Sequence, residues 1–274
     1  MPRPITSFII CLVAIAAMAR TADIEVSYTA LSPNFKNGEV DVTNQYVLLA
    51  NTSESRFYSP VTEYIDSLNS TPEGAAKWKE MTRAAVMNGD FDNIPRKDVS
   101  YYIVKSAASA TLRYYDTAGI DRYFYDETPG EWDWEISDST KTVLGYECVK
   151  ASTDFHGRKW TAWFSPKIPV SDGPWKLAGL PGLILEASTA DGKYIFTATG
   201  IRKTQKPIGH VYLADGYEKT DRKSFLKAKR DFLDNPMGSL NAQLGGDLKI
   251  ISSDSGEPMF ASADVVDLIE TDYR

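Results

Sequence analysis

Histidine and cysteine are scarce in this 274-residue sequence, which contains two of each. His156 and His210 lie far apart in the chain, and neither belongs to an H-E-x-x-H motif. There is also no C-x-x-C pair, no G-x-S-x-G motif and no glycine-rich phosphate-binding loop. These absences argue against a zinc site and against the common hydrolase and nucleotide-binding signatures. We therefore assign no catalytic residue, no metal and no cofactor from the sequence.

Basic residues are in the minority, and the sequence carries a formal net charge of −7. Because no cluster of lysine and arginine stands out against this acidic balance, we do not expect the protein to bind nucleic acid or anionic membrane surfaces. The composition, with 43% hydrophobic and 24% charged residues, is that of an ordinary globular protein. No internal repeat, low-complexity tract or linker divides the chain, which predicts a single domain.

A long apolar run occurs only at the start of the sequence. Arg3 precedes the apolar run from Ile5 to Ala17, and Ala17-Met-Ala19 has the A-x-A pattern of a cleavage site. Because the run is shorter than the roughly 20 residues that span a bilayer, it predicts a signal peptide over residues 1–19 rather than a membrane anchor. We expect an exported protein in the periplasm, associated with the outer membrane or secreted, without a transmembrane segment in the mature chain.

Cleavage of the signal peptide would remove Cys11 and leave Cys148 as the only cysteine. A single cysteine cannot form an intramolecular disulfide, even in an oxidising compartment. Cys148 lies in the middle of a predicted strand, where a buried and unreactive thiol is expected.

Alternation of apolar and polar residues recurs along most of the chain, beginning at Ile24 to Ala30, and turn residues separate the alternating segments. Helical patterns appear in an insertion at about 60–88 and in one C-terminal helix at about 221–233. The sequence predicts a mainly β domain over residues 20–274, with antiparallel hairpins in a single, strongly curved sheet or a partly open barrel or sandwich. The tail after about residue 234 is predicted to be rich in loops.

Glycine and proline are concentrated between Pro169 and Glu186. Within this stretch, Leu180-Pro-Gly-Leu183 has Pro and Gly at the two positions that a type II turn favours. The segment Leu183-Ile-Leu185 shows no polar alternation, which predicts a strand covered on both faces. Hairpin turns are predicted on either side of the stretch, at Asp154 to Arg158 and at Asp191-Gly192.

Acidic residues lie among aromatic ones in the region of Asp126 to Asp133: Asp126, Glu127, Glu131 and Asp133 among Tyr123, Tyr125, Trp132 and Trp134. Paired carboxylates catalyse glycoside hydrolysis, so a secreted, glycosidase-like hydrolase that uses these carboxylates is one open alternative. The other interpretation is a sheet with its aromatic side chains in the core and its carboxylates in water. A Ser-His-Asp arrangement stays formally open, although His156 fits an exposed turn better and His210 fits a strand end.

One hexapeptide and the segment around it resemble a known family. Gly179-Leu-Pro-Gly-Leu-Ile184 is the signature of the GLPGLI family of exported bacterial proteins. The similarity extends over roughly Lys141 to Gly200, at Leu144-Gly-Tyr-Glu-Cys-Val-Lys-Ala151, Gly157-Arg158, Thr161-Ala-Trp-Phe-Ser165, Ile168-Pro169 and Gly173-Pro-Trp-Lys176. It departs from the family at His156, where a basic Arg-Gly-Arg turn is common.

The resemblance implies a signal peptide, a periplasmic or cell-surface location in a Gram-negative bacterium, and no established activity. It also suggests an envelope protein such as a TonB-dependent transporter as a partner. We expect an exported, non-catalytic envelope protein that binds a ligand or another envelope protein.

The candidate binding residues lie in the hairpin and the loop that precede the signature. They are Arg158, Asp172, Trp175 and Lys176. Lys176 would pair with an anionic group while Trp175 stacks; the alternative is that Trp175 packs in the core and Lys176 is solvated. The signature residues contain no acid, base or nucleophile and are predicted to be structural: Gly179, Leu180, Pro181, Gly182, Leu183 and Ile184.

Overall fold

Antiparallel hairpins build most of the molecule in a computed structural model, which describes residues 20–34, 38–90, 97, 99–107, 109–129, 132–245 and 267–273. Twelve strands form one sheet. In chain order they are Ile24–Pro33 (β1), Val40–Ala50 (β2), Glu54–Tyr58 (β3), Tyr102–Ser106 (β4), Thr111–Ala118 (β5), Asp121–Glu127 (β6), Glu135–Val143 (β7), Tyr146–Phe155 (β8), Arg158–Ser165 (β9), Leu183–Thr189 (β10), Ile195–Lys203 (β11) and Glu218–Lys219 (β12). The predicted mainly β fold is confirmed. The predicted signal peptide, residues 1–19, lies outside the described residues.

The strands follow the order β12-β6-β5-β4-β3-β2-β1-β11-β10-β9-β8-β7 across the sheet. Strand β1 is the junction, because it pairs with β2 on one side and with β11 on the other. It thereby joins the hairpins of the first half of the chain to those of the second half. The short β12 pairs with β6 in parallel, whereas the other strand pairs are antiparallel.

The sheet curls strongly, although it does not close into a barrel. Strands β6 and β8 are nine positions apart in the strand order, which corresponds to about 40 Å in a flat sheet. Nevertheless Glu127, at the end of β6, has its Oε1 atom 2.5 Å from Nε2 of His156, in the turn after β8. The inner face of the sheet therefore encloses a core, and side chains from opposite ends of the sheet meet across it.

Both faces of the sheet are buried over much of its area. The inner face carries an apolar cluster that includes Tyr28, Tyr46, Phe57, Tyr114, Tyr125, Trp160, Trp175 and Phe196. A second cluster lies on the outer face and includes Val47, Leu49, Tyr58, Tyr102 and Tyr115. Neighbouring residues of β2 and of β5 belong to opposite clusters, as the two-residue repeat of a strand requires. Cys148 is buried in the inner cluster, as predicted, and burial raises the pKa of its thiol.

In the described part of the chain, four α-helices accompany the sheet: Pro60–Asn69 (α1), Pro72–Asn88 (α2), Arg222–Asp234 (α3) and Pro236–Leu244 (α4). The first three confirm the predicted helical insertion and C-terminal helix. Helix α4 differs from the loop-rich tail that the sequence predicts, because Asn235 caps it by accepting a hydrogen bond from the Gly238 amide. Among the described helices, none is both long and apolar enough to cross a membrane.

The turn before β10 differs from the predicted type II turn. The Gly182 amide donates to the Leu180 carbonyl at 2.8 Å, which is the bond of a three-residue γ-turn. The Leu183 amide donates instead to the Ile168 carbonyl at 3.1 Å. The type II prediction is therefore wrong, whereas the prediction of a doubly buried strand is confirmed: Leu183, Ile184 and Leu185 are each 0% exposed.

Candidate functional site

Lys176 is fully buried in the loop that precedes the signature, and its ammonium group is the centre of an ionic cluster. Its Nζ atom donates to Glu127 Oε2 at 2.6 Å and to the Tyr125 hydroxyl at 3.0 Å, and it lies 2.7 Å from Glu270 Oε1. An ammonium group has three donors, and these three partners match them. The interpretation of Lys176 as a solvated side chain is therefore wrong.

The Trp175 backbone directs the neighbouring Lys176 toward the interior. Trp175 has a φ of 54°, in the left-handed region that non-glycine residues rarely adopt. Its indole ring is 0% exposed and stacks on Trp160 with ring centroids 5.4 Å apart. Trp175 therefore packs in the core, as one interpretation held, and fixes the loop that carries Lys176.

His156 lies in a two-residue turn between β8 and β9, in which His156 and Gly157 have φ values of 52° and 79°. Two positive φ values are typical of a type I′ hairpin turn. The imidazole is only 10% exposed, so the prediction of an exposed turn residue is wrong. Its Nε2 atom lies 2.5 Å from Glu127 and its Nδ1 atom 3.3 Å from Asp272.

The segment 267–273 crosses the ionic cluster and is held to it by cationic side chains. Arg158 donates from Nε to the Ile269 carbonyl at 2.9 Å and from Nη2 to the Leu268 carbonyl at 2.8 Å. Arg222, on α3, donates to Glu270 Oε2 at 2.6 Å. Arg158, a candidate binding residue, therefore binds the protein's own C-terminal segment.

Asp172 belongs to a separate buried ion pair. Its Oδ1 atom accepts a hydrogen bond from Lys105 at 2.6 Å, and burial lowers the pKa of the Lys105 ammonium group. The structure thus brings Arg158, Trp175 and Lys176 together around the C-terminal segment, whereas Asp172 lies with Lys105.

A cavity of about 240 Å³ lies on the inner face next to this cluster, bounded by the sheet, α3 and the C-terminal segment. Three stacked tyrosines form one wall: Tyr101 lies 5.7 Å from Tyr46 and 5.6 Å from Tyr114, measured between ring centroids. Other lining residues are mainly apolar and include Ala30, Phe196, Phe225, Leu226, Leu268 and Ile269. Glu270 also lines the cavity, so the cavity and the ionic cluster are contiguous.

One side of this cavity is polar but electrically balanced. Asp116 is 3% exposed and accepts hydrogen bonds from Lys229 at 3.1 Å and from Ser100. Lys229 donates a second bond to the Thr117 carbonyl at 2.8 Å. A charged ligand would therefore have to compete with an existing ion pair, whereas a neutral hydrogen-bonding group would not.

The carboxylates that motivate the hydrolase alternative are not gathered in one place. Asp126 and Glu127 are consecutive in β6 and so face opposite sides of the sheet. Asp126 pairs with Arg113 at 2.6 Å, whereas Glu127 joins the cluster around Lys176. Asp133 is exposed, and Glu131 lies outside the described residues.

Three side chains of the cluster have the composition of a metal site. One ligand atom from each of His156, Glu270 and Asp272 lies within 4.8 Å of the other two. Arg222, however, donates to Glu270 at 2.6 Å and to Asp272 at 2.8 Å and 2.9 Å. A cation bound there would have to displace this guanidinium group. The arrangement therefore suits internal ion pairs better than a metal ion.

Sequence reasoning missed Glu270, Asp272 and Arg222 as members of the site. Arg222 falls within the predicted C-terminal helix, and the two acidic residues fall in the tail that is predicted to be rich in loops. The described part of the tail is too short for its residue pattern to predict a strand or the part of the fold that it contacts.

The acid sensitivity of the cluster gives a first prediction. Burial alone would raise the pKa of Glu127, but the hydrogen bond from His156 and the charge of Lys176 outweigh it and lower the pKa from 4.5 to about 2. A carboxyl group whose pKa is lower in the folded state stabilises the fold above its unfolded pKa and loses this contribution as the pH falls through its folded pKa. We expect about 2 kcal/mol of stability to disappear between pH 4.5 and 2.

Urea unfolding of the wild type and of Glu127→Gln between pH 2 and 6 would measure this contribution. The variant should be less stable at pH 6 and should show a shallower fall toward pH 2. Asp133→Asn, which removes an exposed carboxylate, should keep the wild-type slope. Equal slopes for all three proteins would show that Glu127 is not the group responsible.

Comparison with known proteins finds a partial match to one family model and a similar fold. A family model described as "Protein of unknown function (Porph_ging)" matches residues 156–186, which span the His156 turn, the Lys176 loop and the signature. No curated protein matches the sequence. The family match therefore falls on the segment that contributes His156, Arg158 and Lys176 to the ionic cluster.

Two crystal structures of PNGF-II, in different space groups, resemble the fold. The first has a TM-score of 0.51 at 13% sequence identity and covers 76% of this chain and 33% of that chain. The second has a TM-score of 0.50 at 12% identity and covers 75% of this chain and 32% of that chain. This chain spans about a third of the length of those proteins, and at such low identity the likeness concerns the fold alone.

Proposed function

We propose that this protein is a non-catalytic binding protein that holds a small apolar molecule in the cavity of about 240 Å³ on the inner face of its sheet. The stacked wall of Tyr46, Tyr101 and Tyr114 is the observation that carries the proposal. Small-molecule sites are typically concave and apolar, with a few polar groups that orient the ligand. Ser100, Asp116 and Lys229 supply such polar groups.

The size and charge of the cavity define the ligand. Its volume is below the roughly 300–1,000 Å³ of most drug-sized pockets, so it suits one ring system or a short chain. The Asp116–Lys229 pair is internally neutral, and a neutral ligand avoids the cost of breaking a partly buried ion pair. We therefore propose an uncharged ligand with one hydrogen-bonding group.

We further propose that the protein is of the GLPGLI type and is exported to the cell envelope, with a TonB-dependent transporter or another envelope protein as its partner. The signature Gly179–Ile184 and the apolar N-terminal run support this proposal. The family model of unknown function at residues 156–186 is compatible with it. The hydrolase alternative lacks comparable support, because Asp126 and Glu127 lie on opposite faces of β6.

Filling the cavity tests the binding proposal. Ala30 is 3% exposed and lines the cavity, so Ala30→Leu should occupy ligand volume. We expect the wild type to bind the fluorophore 2-naphthol, which has one ring system and one hydroxyl group and is uncharged at pH 7. The variant should bind it at least about tenfold more weakly, which is a loss of roughly 1.4 kcal/mol. Fluorescence titration measures both affinities.

Thr29→Leu is the matched control, because Thr29 precedes Ala30 in β1 and faces the other side of the sheet. This variant should bind the fluorophore as the wild type does. Unchanged binding by Ala30→Leu, with thermal unfolding confirming that the variant is folded, would place the fluorophore elsewhere and overturn the proposed site.

A further inference from the structure

The cavity lined by Tyr46, Tyr101 and Tyr114 is called the aromatic cavity below. A second cavity, of about 220 Å³, lies at the other end of the inner face. The aromatic cavity touches Tyr101, immediately before β4, whereas the second cavity touches the end of β4, at Lys105 and Ser106. Its walls come from the turn between β2 and β3 and from the loop that includes Asp172 and Gly179. The signature loop therefore forms part of this second cavity.

Two polar groups of this cavity are buried without a hydrogen-bond partner among the described residues. Ser55 is 1% exposed, and its Oγ atom has no partner there. The same is true of the indole Nε1 atom of Trp132. Buried donors are costly when they are unsatisfied, and native proteins usually provide them with a protein, water or ligand acceptor. Both residues line the same cavity, but the two atoms themselves are covered. A ligand in the cavity can therefore pair with them only when the Ser55 hydroxyl and the Trp132 ring turn toward it.

Asp172 offers an acceptor in the same cavity. Its Oδ1 atom accepts hydrogen bonds from Lys105 at 2.6 Å and from the Gly173 amide at 2.6 Å. Within the described part of the chain, no residue donates to its Oδ2 atom. Lys105 in turn donates to the Gly173 and Leu177 carbonyls at 3.2 Å and 3.1 Å, so its donors are used. The carboxylate is thus fixed in place and its charge is neutralised.

We infer that this cavity binds the hydroxyl groups of a small neutral polyol or monosaccharide. A hydroxyl group donates and accepts, so it can donate to Asp172 and accept from Trp132 and Ser55. A charged ligand is disfavoured because Lys105 and Asp172 balance each other, as do Glu54 at the cavity wall and Arg20. The indole ring adds an apolar surface for the carbon face of such a molecule.

The signature contributes to this site through Gly179. A Cβ atom at position 179 would lie 2.9 Å from Cε3 of Trp132, closer than real Cβ contacts permit. The missing side chain therefore lets the indole pack directly on the loop. The adjacent Trp134 donates its Nε1 proton to the Ala178 carbonyl at 2.9 Å, which holds the same loop from the other side.

Isothermal titration with glycerol, glucose and N-acetylglucosamine tests the inference. We expect at least one of these probes to bind saturably, with a dissociation constant in the millimolar range, as for a small ligand held by a few hydrogen bonds. Trp132→Phe keeps an aromatic ring but removes the N–H donor, and Ser55→Ala removes the hydroxyl group. Each variant should weaken binding about three- to tenfold.

Stability separates a ligand-binding role from a structural one. Because Ser55 Oγ has no partner within the described structure, Ser55→Ala should raise the urea midpoint of the free protein while it weakens binding. Trp78→Phe, on α2, is the control and should change neither binding nor the effect of the probes. Absence of saturable binding by all three probes, or equal binding by the wild type, Ser55→Ala and Trp132→Phe, would overturn the inference. The Ala30→Leu variant should bind these probes as the wild type does. A negative result for one cavity therefore leaves the proposal for the other cavity standing.

Discussion

Replacing Lys176 with methionine is expected to lower the free energy of unfolding by about 3–5 kcal/mol. Methionine is close to lysine in length and can fill the same space, so the change removes mainly the charge. Glu127 and Glu270 would then face each other in the interior without the ammonium group that lies 2.6 Å and 2.7 Å from them. A buried ion pair contributes little net stability when it is intact, but removing one partner leaves its buried counter-charges poorly compensated. Within the described structure, Glu127 would keep His156 and Glu270 would keep Arg222 as its nearest basic neighbour.

Urea unfolding at pH 7 measures this loss. Lys167→Met, at an exposed lysine in the same region, should change stability by less than about 0.5 kcal/mol. In the triple variant Lys176→Met, Glu127→Gln, Glu270→Gln, the two carboxylates are neutral, and we expect it to recover part of the lost stability. If the triple variant were less stable than Lys176→Met alone, the excess negative charge of the two carboxylates would not be the cause of the loss.

The strands and most helices follow from local sequence patterns, which is why these predictions succeed. Alternation identifies β1, and the uniformly apolar Leu183-Ile-Leu185 identifies a strand covered on both faces, which the structure confirms. Thr71 followed by Pro72 marks the start of α2, where the Gly74 amide donates to the Thr71 hydroxyl at 3.1 Å. Each of these signals acts over a few residues and depends little on the rest of the fold.

The ionic cluster could not be predicted, because it depends on the curl of the whole sheet. Glu127 and His156 meet only because β1 pairs with β11, which joins the two halves of the chain, and because the resulting sheet curves. The hairpin turn at His156 is correctly located from sequence. Its burial, however, comes from distant elements, namely the end of β6 and the segment around Glu270 and Asp272.

The binding candidates illustrate the same limit. Arg158 and Lys176 look available for an external anion when only the sequence is considered. In the structure their donors reach the protein's own carboxylates and carbonyls, including Glu270, Leu268 and Ile269. The charge of these residues and their position in loops indicate where an ionic cluster forms. They do not indicate whether the anionic partner belongs to the protein itself or to a ligand.

Replacing Gly182 with alanine is the second large effect that we expect, a loss of about 4 kcal/mol. A Cβ atom at this position would lie 2.2 Å from the Ser165 carbonyl oxygen and 2.9 Å from Cα of Pro166. Both contacts are with backbone atoms, which cannot move aside as a flexible side chain could. The shift would also disturb Leu183, whose amide donates to the Ile168 carbonyl at 3.1 Å.

Gly192→Ala separates this close approach from the general cost of replacing a glycine in a turn. Gly192 has a φ of 69°, and no atom lies within 4 Å of a Cβ atom built there. This variant should therefore lose only about 1 kcal/mol, from the left-handed backbone conformation. A difference of about 3 kcal/mol between the two variants in urea unfolding would show that close contact with the end of β9 requires glycine at position 182. Similar losses for both would show that the β9 backbone yields and that Gly182 is needed for its backbone conformation alone.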